Sequence, residues 1–362
     1  MDKPTVEIYE AESARYEALR APRFLREARR FGTLVKGGPV ADLGCGPGWY
    51  TAAVGRPAIA FDAALSMLRR TGEVAPSAWL VQGDLQALPF RRGALRGAWA
   101  RNSYVHLAAG DVPMALADLH RATRAGAPIE LTFFGGDRHG QHLEGRDVFP
   151  DDDMPGRWFS TWSAERLADV MIGSGFAIDA LAERRDGHGN LGFTLRARRD
   201  RTLPDTVAAG MRLLVCGLNP SLRAADAGVG FVTPGNRFWP AALEAGLVSR
   251  DRDPRHALLV HGVGMTDLVK RATARAAELT REEYEAGVER LDRLCAWLRP
   301  RAVCVVGLAG WRAVVNRTAA PGWQIRTLGD QPVYVMPSTS GLNAATSLST
   351  LVEHLRAAVS GT

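Results

Sequence analysis

Short apolar runs, each closed by glycine or an acidic residue, alternate along the chain with longer stretches of helical spacing. In the first half, Val40–Leu43, Ala58–Phe61, Trp79–Gly83, Gly97–Ala100 and Ile129–Phe134 are such runs. Bounded by turn residues, they predict buried strands. Residues 10–34 are rich in Ala, Arg and Leu and predict a leading helix. Asp111 is the expected cap of a helix running to Gly126, and Ser163 that of a helix ending near Gly175,. Runs at Phe176–Leu181 and Leu191–Leu195 flank Asp186-Gly187-His188-Gly189-Asn190, the pattern of a hairpin,.

The pattern restarts after a charged, then turn-forming stretch, Arg196 to Asp205, which reads as a solvated linker. Leu213-Leu214-Val215-Cys216 predicts a buried strand that stops at Gly217,. Asn219-Pro220-Ser221 then points a polar group off the carboxyl edge of a sheet, where open α/β sheets place their ligands,. A Gly- and Ala-rich loop ends in Gly228-Val229-Gly230-Phe231, and a helix is expected over Ala241–Ala245. Thr280 and Glu283 form a capping-box pattern,. The helix behind them carries Tyr284, Val288, Leu291, Cys295 and Leu298 on one face,. Strands are expected at Ala302–Val306 and Val333–Met336, and a final helix carries Leu348, Leu351, Val352 and Leu355. The alternation is that of an α/β protein, and the boundary falls near residue 200, giving domains 1–200 and 201–362,.

Bulk properties agree. A chain of 362 residues exceeds one ordinary core,. Its 46% hydrophobic and 23% charged residues are those of a globular protein,. No apolar run reaches the roughly 18 residues of a membrane span. Met1-Asp2-Lys3-Pro4 leads into no apolar segment, so no signal peptide is expected,. Cys45, Cys216, Cys295 and Cys304 form no Cys-x-x-Cys pair, which argues against a zinc or iron–sulfur site and for a reducing cytoplasm,. A net charge of +6 permits a nucleic-acid partner,. A monomer in the cytoplasm is the expectation, nucleoid-associated if the source is bacterial.

Two stretches carry candidate chemistry. In the first half, Asp42-Leu43-Gly44-Cys45-Gly46-Pro47-Gly48 is a strand end followed by a Gly-rich turn. Such glycines let backbone approach a ligand where a side chain would clash. Asp62 ends the next strand, where an acid can bind ribose hydroxyls, and Asp84-Leu85 ends the third,. These residues resemble the class I S-adenosylmethionine-dependent methyltransferases of the small-molecule type, over roughly residues 8–198. The resemblance implies a Rossmann-like fold with a terminal reversed hairpin. It implies S-adenosylmethionine as cofactor, held at its methionine end by Asp42, Gly44, Gly46 and Gly48. Asp62 would take the ribose, with Asp84 and Leu85 flanking the adenine. The methyl acceptor is not legible. The loop from Gly135 to Trp162 is expected to form part of its pocket, and Tyr104 and His106 either orient the acceptor or merely line the cleft. His139, His142 and Asp151-Asp152-Asp153 read as a solvated loop rather than a metal site.

In the second half, separated motifs occur in a fixed order. They are Gly217-Leu218-Asn219-Pro220, Asn236-Arg237-Phe238-Trp239, Gly264-Met265-Thr266-Asp267-Leu268-Val269 and Pro337-Ser338-Thr339-Ser340-Gly341-Leu342. Together they closely resemble the mismatch-specific uracil/thymine-DNA glycosylases, over nearly all of residues 203–358. The resemblance implies a uracil-DNA glycosylase-like α/β/α fold with a parallel sheet, double-stranded DNA with a mismatched or damaged base as partner, and no cofactor. Asn219 would be the catalytic amide, positioning a water. Gly217, Leu218, Pro220, Ser221 and Phe231 would form the base pocket, Phe231 by stacking. Ser338, Thr339 and Ser340 would pinch phosphates, and Gly341, Leu342 and Asn343 would form a wedge filling the vacated place in the duplex.

This chain departs from the family at Ser221, where glycine is frequent; the hydroxymethyl either narrows the pocket floor or adds a hydrogen bond. The Pro-Ser-Thr-Ser start of the last motif is closer to thymine-processing members, and its Gly-Leu closer to the bacterial uracil enzyme, so the preferred base stays open. Alternatives also stand for the whole chain: a glycosylase whose first half only binds S-adenosylmethionine or DNA, or a methyltransferase whose second half only docks on nucleic acid.

Overall fold

The computed structural model describes residues 1–136, 142–185 and 189–361. The chain divides into one unit of residues 1–172 and 176–200 and another of residues 173–175 and Arg201 onward. In the first unit the expected leading helix is three: α1 (Lys3–Ala11), α2 (Ser13–Leu19) and α3 (Leu25–Leu34). The break before α3 has a local cause, because Pro22 pushes the preceding residue out of helical backbone. Asp2 caps α1, accepting from Thr5 N at 2.9 Å, and Pro4 sits in its first turn,.

The apolar runs become β1 (Val40–Leu43), β2 (Ala58–Asp62), β3 (Trp79–Gln82), β4 (Gly97–Arg101) and β5 (Pro128–Gly135). They pair in parallel in the order β3-β2-β1-β4-β5, so chain order reverses between β1 and β4. Helices α4 (Leu65–Val74) and α5 (Val112–Ala122) connect them. Asp111 stands at the head of α5 but makes no side-chain cap. That helix ends at Ala122, short of Gly126, where Thr123 turns extended and its Oγ1 donates to the Leu119 carbonyl at 2.8 Å.

Next come β6 (Glu144–Gly145), β7 (Phe159–Trp162), α6 (Ala164–Gly173), β8 (Phe176–Arg185) and β9 (Leu191–Arg199). Arg166 N donates to Ser163 Oγ at 3.2 Å, capping α6. Strand β9 runs antiparallel to both β5 and β8, the reversed hairpin of the methyltransferase fold. Both hairpin strands exceed their apolar runs. Arg196, Arg198 and Arg199, expected in a linker, are the end of β9: Leu195 and Ala197 are buried between them with the two-residue period of a strand,. Arg198 pairs with Asp179, and Arg199 Nε donates to the His120 carbonyl. Asp186, Gly187 and His188 lie outside the described residues.

The second unit holds β10 (Leu213–Gly217), α7 (Leu222–Ala227), α8 (Phe238–Glu244), α9 (Pro254–His261), β11 (Val263–Asp267), α10 (Arg281–Leu298) and β12 (Val303–Val306). It continues with α11 (Leu308–Val314), β13 (Gly322–Trp323), β14 (Val333–Met336) and α12 (Leu348–Ser360). The sheet order is β11-β10-β12-β14-β13, parallel throughout except for short β13. One core joins Leu213 and Val215 of β10 to Phe238 and Trp239 of α8 and to Leu351, Val352 and Leu355 of α12. Thr280 and Glu283 close the predicted capping box on α10, whose Leu291, Cys295 and Leu298 are buried. Among the described residues no helix is long and apolar enough to cross a membrane.

A charged group is also buried in this unit. Asp205, 3% exposed, accepts from Lys270 Nζ at 2.8 Å, Arg290 Nη1 at 2.8 Å and Thr266 Oγ1 at 2.6 Å. Burial opposes its ionisation, but Lys270 and Arg290 outweigh that and hold its carboxyl below the ordinary value,. Removing one member strands the others in a medium of low dielectric. Asp205→Ala is therefore expected to lower unfolding stability by about 3–5 kcal/mol; urea denaturation checks this, and a loss below about 1 kcal/mol contradicts it.

Candidate active sites

In the first unit the Gly-rich turn joins β1 to the following segment at the sheet's carboxyl edge. Gly48 has φ +83°, and a Cβ there would stand 2.8 Å from Thr71 Cα, so only glycine fits,. Asp42 lies beneath the turn and accepts from Thr51 Oγ1 at 2.7 Å. Burial pushes its carboxyl up to about 7,. Asp62 ties the end of β2 to the same turn, accepting from Gly46 N and Ala64 N, each at 2.9 Å. Burial raises it to about 6. Gly44 and Gly46 share the positive φ of Gly48. Asp84 accepts from Gln86 N at 2.9 Å and from the Met1 amino group, while the Leu85 side chain is 1% exposed and belongs to the core. Ser103 Oγ, buried against the turn beside Gly44, has no hydrogen-bond partner among the described residues.

Sequence reasoning missed what covers this turn. Tyr16 of α2 stacks on Trp49 with ring centroids 5.9 Å apart. Tyr9 of α1 donates its OH to His106 Nε2 at 2.9 Å and receives Arg157 Nη1 at 2.7 Å. The Trp158 carbonyl, 2.7 Å from His106 Nδ1, can only accept, which puts the imidazole proton on Nδ1,. Burial lowers His106 to about 4, so it is neutral at pH 7. No sequence spacing marks Tyr9, Tyr16 or Arg157; they meet only through the fold. Tyr104, by contrast, is a core residue packed on Phe133, with its OH buried and without a partner among the described residues. Asp152 and Asp153 pair with Arg157 and Arg20, and His142 approaches the Thr161 carbonyl and Glu144. His139 lies outside the described residues.

In the second unit, β10 and β11 end side by side, Gly217 opposite Asp267. Their ladder continues beyond both strands: Leu268 N donates to Gly217 O and Val269 N to Leu218 O, each at 2.9 Å, and Thr273 N to Pro220 O at 3.1 Å. Asn219 projects from this zipped edge. Its Nδ2 donates to the Arg271 carbonyl at 2.9 Å and Thr273 Oγ1 at 2.8 Å. A backbone carbonyl can only accept, so the amide orientation is fixed and Oδ1 is turned away as an acceptor. Leu218 packs its side chain against Gly310 of α11. Ser221 is explained: its Oγ caps α7 by accepting from Ala224 N at 3.1 Å and lies 3.3 Å from Thr233 Oγ1. It therefore fastens the strand end to the loop bearing Phe231, the hydrogen-bonding alternative expected of it.

Phe231 has φ +59°, an uncommon conformation for a bulky side chain and one that flags a site under constraint,. One face stacks on fully buried Phe238, with centroids 4.2 Å apart. Trp239 Nε1 holds the preceding Gly230 carbonyl at 2.9 Å. The last motif is a turn presenting Leu342 at 97% exposure. Ser338 Oγ and Ser340 Oγ accept from the N–H groups of Ser340 and Leu342, and Asn343 Nδ2 donates to the Ser338 carbonyl at 2.8 Å. Asn343 therefore holds the turn from within. Thr339, 1% exposed, turns inward and offers no hydroxyl to solvent, a correction to its expected place among the phosphate contacts. The organiser that the motif reading did not single out is Arg237: its guanidinium reaches the carbonyls of Asn343, Ser340 and Thr346, and its N–H that of Thr339 at 2.9 Å.

Comparison with known proteins agrees with this division. Residues 40–126 match the family described as a methyltransferase domain, and residues 204–359 match the uracil DNA glycosylase superfamily. Among solved structures, the chain is similar to the 1,6-didemethyltoxoflavin-N1-methyltransferase of Burkholderia thailandensis, with 17% identity, 54% of this chain and 88% of that one covered, and a TM-score of 0.44. It is also similar to an S-adenosylmethionine-dependent methyltransferase of Mesorhizobium loti, with 18% identity, 49% and 99% coverage and a TM-score of 0.42. Another, from Methanosarcina mazei, has 15% identity, 46% and 95% coverage and a TM-score of 0.40. The chain thus joins a methyltransferase domain to a domain of the uracil DNA glycosylase superfamily.

Proposed function

We propose that the second unit removes uracil, thymine or a damaged pyrimidine from G·U and G·T mismatches in duplex DNA, in base-excision repair. We propose that the first transfers a methyl group from S-adenosylmethionine to a separate acceptor. The observation that carries the first part is the orientation of Asn219. With Nδ2 committed to Arg271 and Thr273, the free Oδ1 can accept from a water at the strand end.

Several features of the site support this chemistry. A base must leave the stack before its glycosidic bond can be reached, which costs a few kcal/mol. The face of Phe231 away from Phe238 can recover about 1–3 kcal/mol by stacking,. Exposed Leu342 fills the gap left in the duplex,. As the bond from base to C1′ breaks, charge builds on the base. Leu218 N and Phe231 N donate to no other backbone group among the described residues and are available to its oxygens,. The water held by Asn219 then adds to C1′. An amide is a poor base, so positioning carries much of the rate.

For the first unit, S-adenosylmethionine supplies an electrophilic methyl on its sulfonium. The Gly44, Gly46 and Gly48 turn with Asp62 and Asp84 would hold it, core residue Leu85 backing Asp84 from behind, and Ser103 Oγ beside Gly44, without a partner among the described residues, fits a polar ligand there. Such a protein works in the cytoplasm, near the nucleoid in a bacterium.

Two measurements test these readings. On a G·U duplex the protein is expected to release uracil and leave an abasic site, and Asn219→Ala to slow release at least about 100-fold. Undiminished release by the variant would sink the mechanism. By calorimetry, the full chain is expected to bind S-adenosylmethionine, and Asp62→Ala to weaken binding about tenfold or more, ~1.4 kcal/mol. Absence of binding to the unaltered chain would leave the first unit a scaffold.

A further inference from the structure

Arg101 ends β4 at the carboxyl edge of the first unit's sheet, and the methyl-transfer site described so far makes no use of it. Its guanidinium lies against the ring of Phe24, with Cζ 3.3 Å from the ring centroid. Arg184, near the end of β8, meets the same ring at 4.4 Å. Neither guanidinium makes a hydrogen bond or an ion pair among the described residues. Glu130 and Glu27 reach Arg101 only by charge, and Glu130 is engaged by Arg30 and by Arg196, the latter at 3.5 Å. Burial, with Arg184 adding to it, lowers the Arg101 guanidinium to about 10,. Two like charges on one ring repel each other. The ring attracts each cation but leaves its N–H donors uncommitted, and partly buried cations ordinarily find an acceptor.

Strand register explains the convergence. Arg101 pairs with Thr132 on β5, Thr132 with Thr194 on β9, and Thr194 with Ala182 on β8, so these positions form one row across the sheet. Arg184 lies two residues beyond Ala182, on the same face,. Strands β4 and β8 are three spacings apart, about 14 Å. Each arginine therefore reaches inward, over Thr132 and Thr194, to meet Phe24. Thr132 Oγ1 is spent on Asn102, accepting from its N at 2.8 Å and donating to its Oδ1 at 2.7 Å. That clamp holds Asn102 at φ +50° and fixes the end of β4. The Thr194 hydroxyl has no partner among the described residues. The row thus gathers two guanidinium forks and a hydroxyl, all able to donate to one anionic group. This shelf adjoins the cofactor turn: Phe24 is 6.5 Å, centroid to centroid, from Tyr50, and Ser103, two residues past Arg101, touches Gly44. It does not overlap the turn, because β5 and β9 lie two and three strands from β1, about 10 Å or more,. We propose that Arg101, Arg184 and Thr194 bind a carboxylate or phosphate group of the methyl acceptor, which makes the acceptor an anionic small molecule. Phe24 stands over the place where the donors meet, which suits a terminal charged group and not a continuous nucleic-acid backbone. The inference rests on the methyltransferase reading given above.

The test is calorimetry on the full chain, with phenyl phosphate and benzoate as anionic probes and benzyl alcohol as the neutral one; S-adenosylmethionine is titrated separately. Because the second unit can also attract phosphates, the site is read from the difference between the unaltered protein and Arg101→Met or Arg184→Met. Both anions are expected to bind at least about tenfold more tightly than benzyl alcohol. Each variant is expected to lose at least about tenfold in anion affinity while holding S-adenosylmethionine within about threefold of the unaltered protein. Anion affinity within about threefold in both variants overturns the proposal. A parallel loss of S-adenosylmethionine also overturns it, because the arginines then serve the cofactor. So does a loss confined to a single-stranded oligonucleotide with phenyl phosphate unaffected, because the partner is then a nucleic acid. Should Arg101→Met fail to fold, Arg184→Met, at an exposed position, decides on the same criteria. An unaltered chain that binds no S-adenosylmethionine overturns the methyltransferase reading, and the assignment to an acceptor with it, whatever the anions do.

Discussion

The second unit depends on one backbone zipper. The β10–β11 ladder does not stop where the strands do; it continues through Leu268 to Gly217, Val269 to Leu218 and Thr273 to Pro220. Loops at the edge of a parallel sheet are usually free to move, and a site built on them is only as precise as their tethering. Here the segment carrying Asn219 and the segment carrying Asp267 are fixed to each other by main-chain bonds. Side chains add the remaining ties: Ser221 Oγ beside Thr233, Trp239 on the Gly230 carbonyl, and Arg237 across the carbonyls of the Leu342 turn. Every group assigned to base excision is held to a rigid element by at least one such bond.

The first unit solves a similar problem with acids beneath glycines. Asp42 is buried and Asp62 half-buried; they accept from Thr51 and from the N–H groups of Gly46 and Ala64. Their desolvation is a cost, and the hydrogen bonds that offset it shape the turn. In both units a buried carboxylate therefore stands next to a glycine at the carboxyl edge of a parallel sheet. That is where a fold of this kind can bring a ligand closest to backbone.

Much of this was legible in the sequence. Buried parallel strands read as continuous apolar runs, except that β3, expected to be buried, leaves Trp79 and Leu80 exposed; a run ending in glycine or an acid marks the carboxyl edge of the sheet, as at Asp42, Asp62 and Gly217. The capping box at Thr280 and Glu283 is a local rule, and local rules transfer well. What escaped was of a different kind. β9 was cut short because Arg196 and Arg198 read as linker charges, when a half-buried strand needs only alternate positions apolar. Thr339 and Asn343 were placed by motif, but which way a turn residue faces is settled by Arg237 from another element.

The anchoring of Asn219 limits what chemistry that position can evolve. Its nitrogen faces the Arg271 carbonyl, which has lone pairs and no hydrogen to offer. An aspartate in the same rotamer would set a carboxylate oxygen against that carbonyl, a repulsion that favours the protonated acid and so removes the basicity such a change would be meant to add. The edge is wired for an amide.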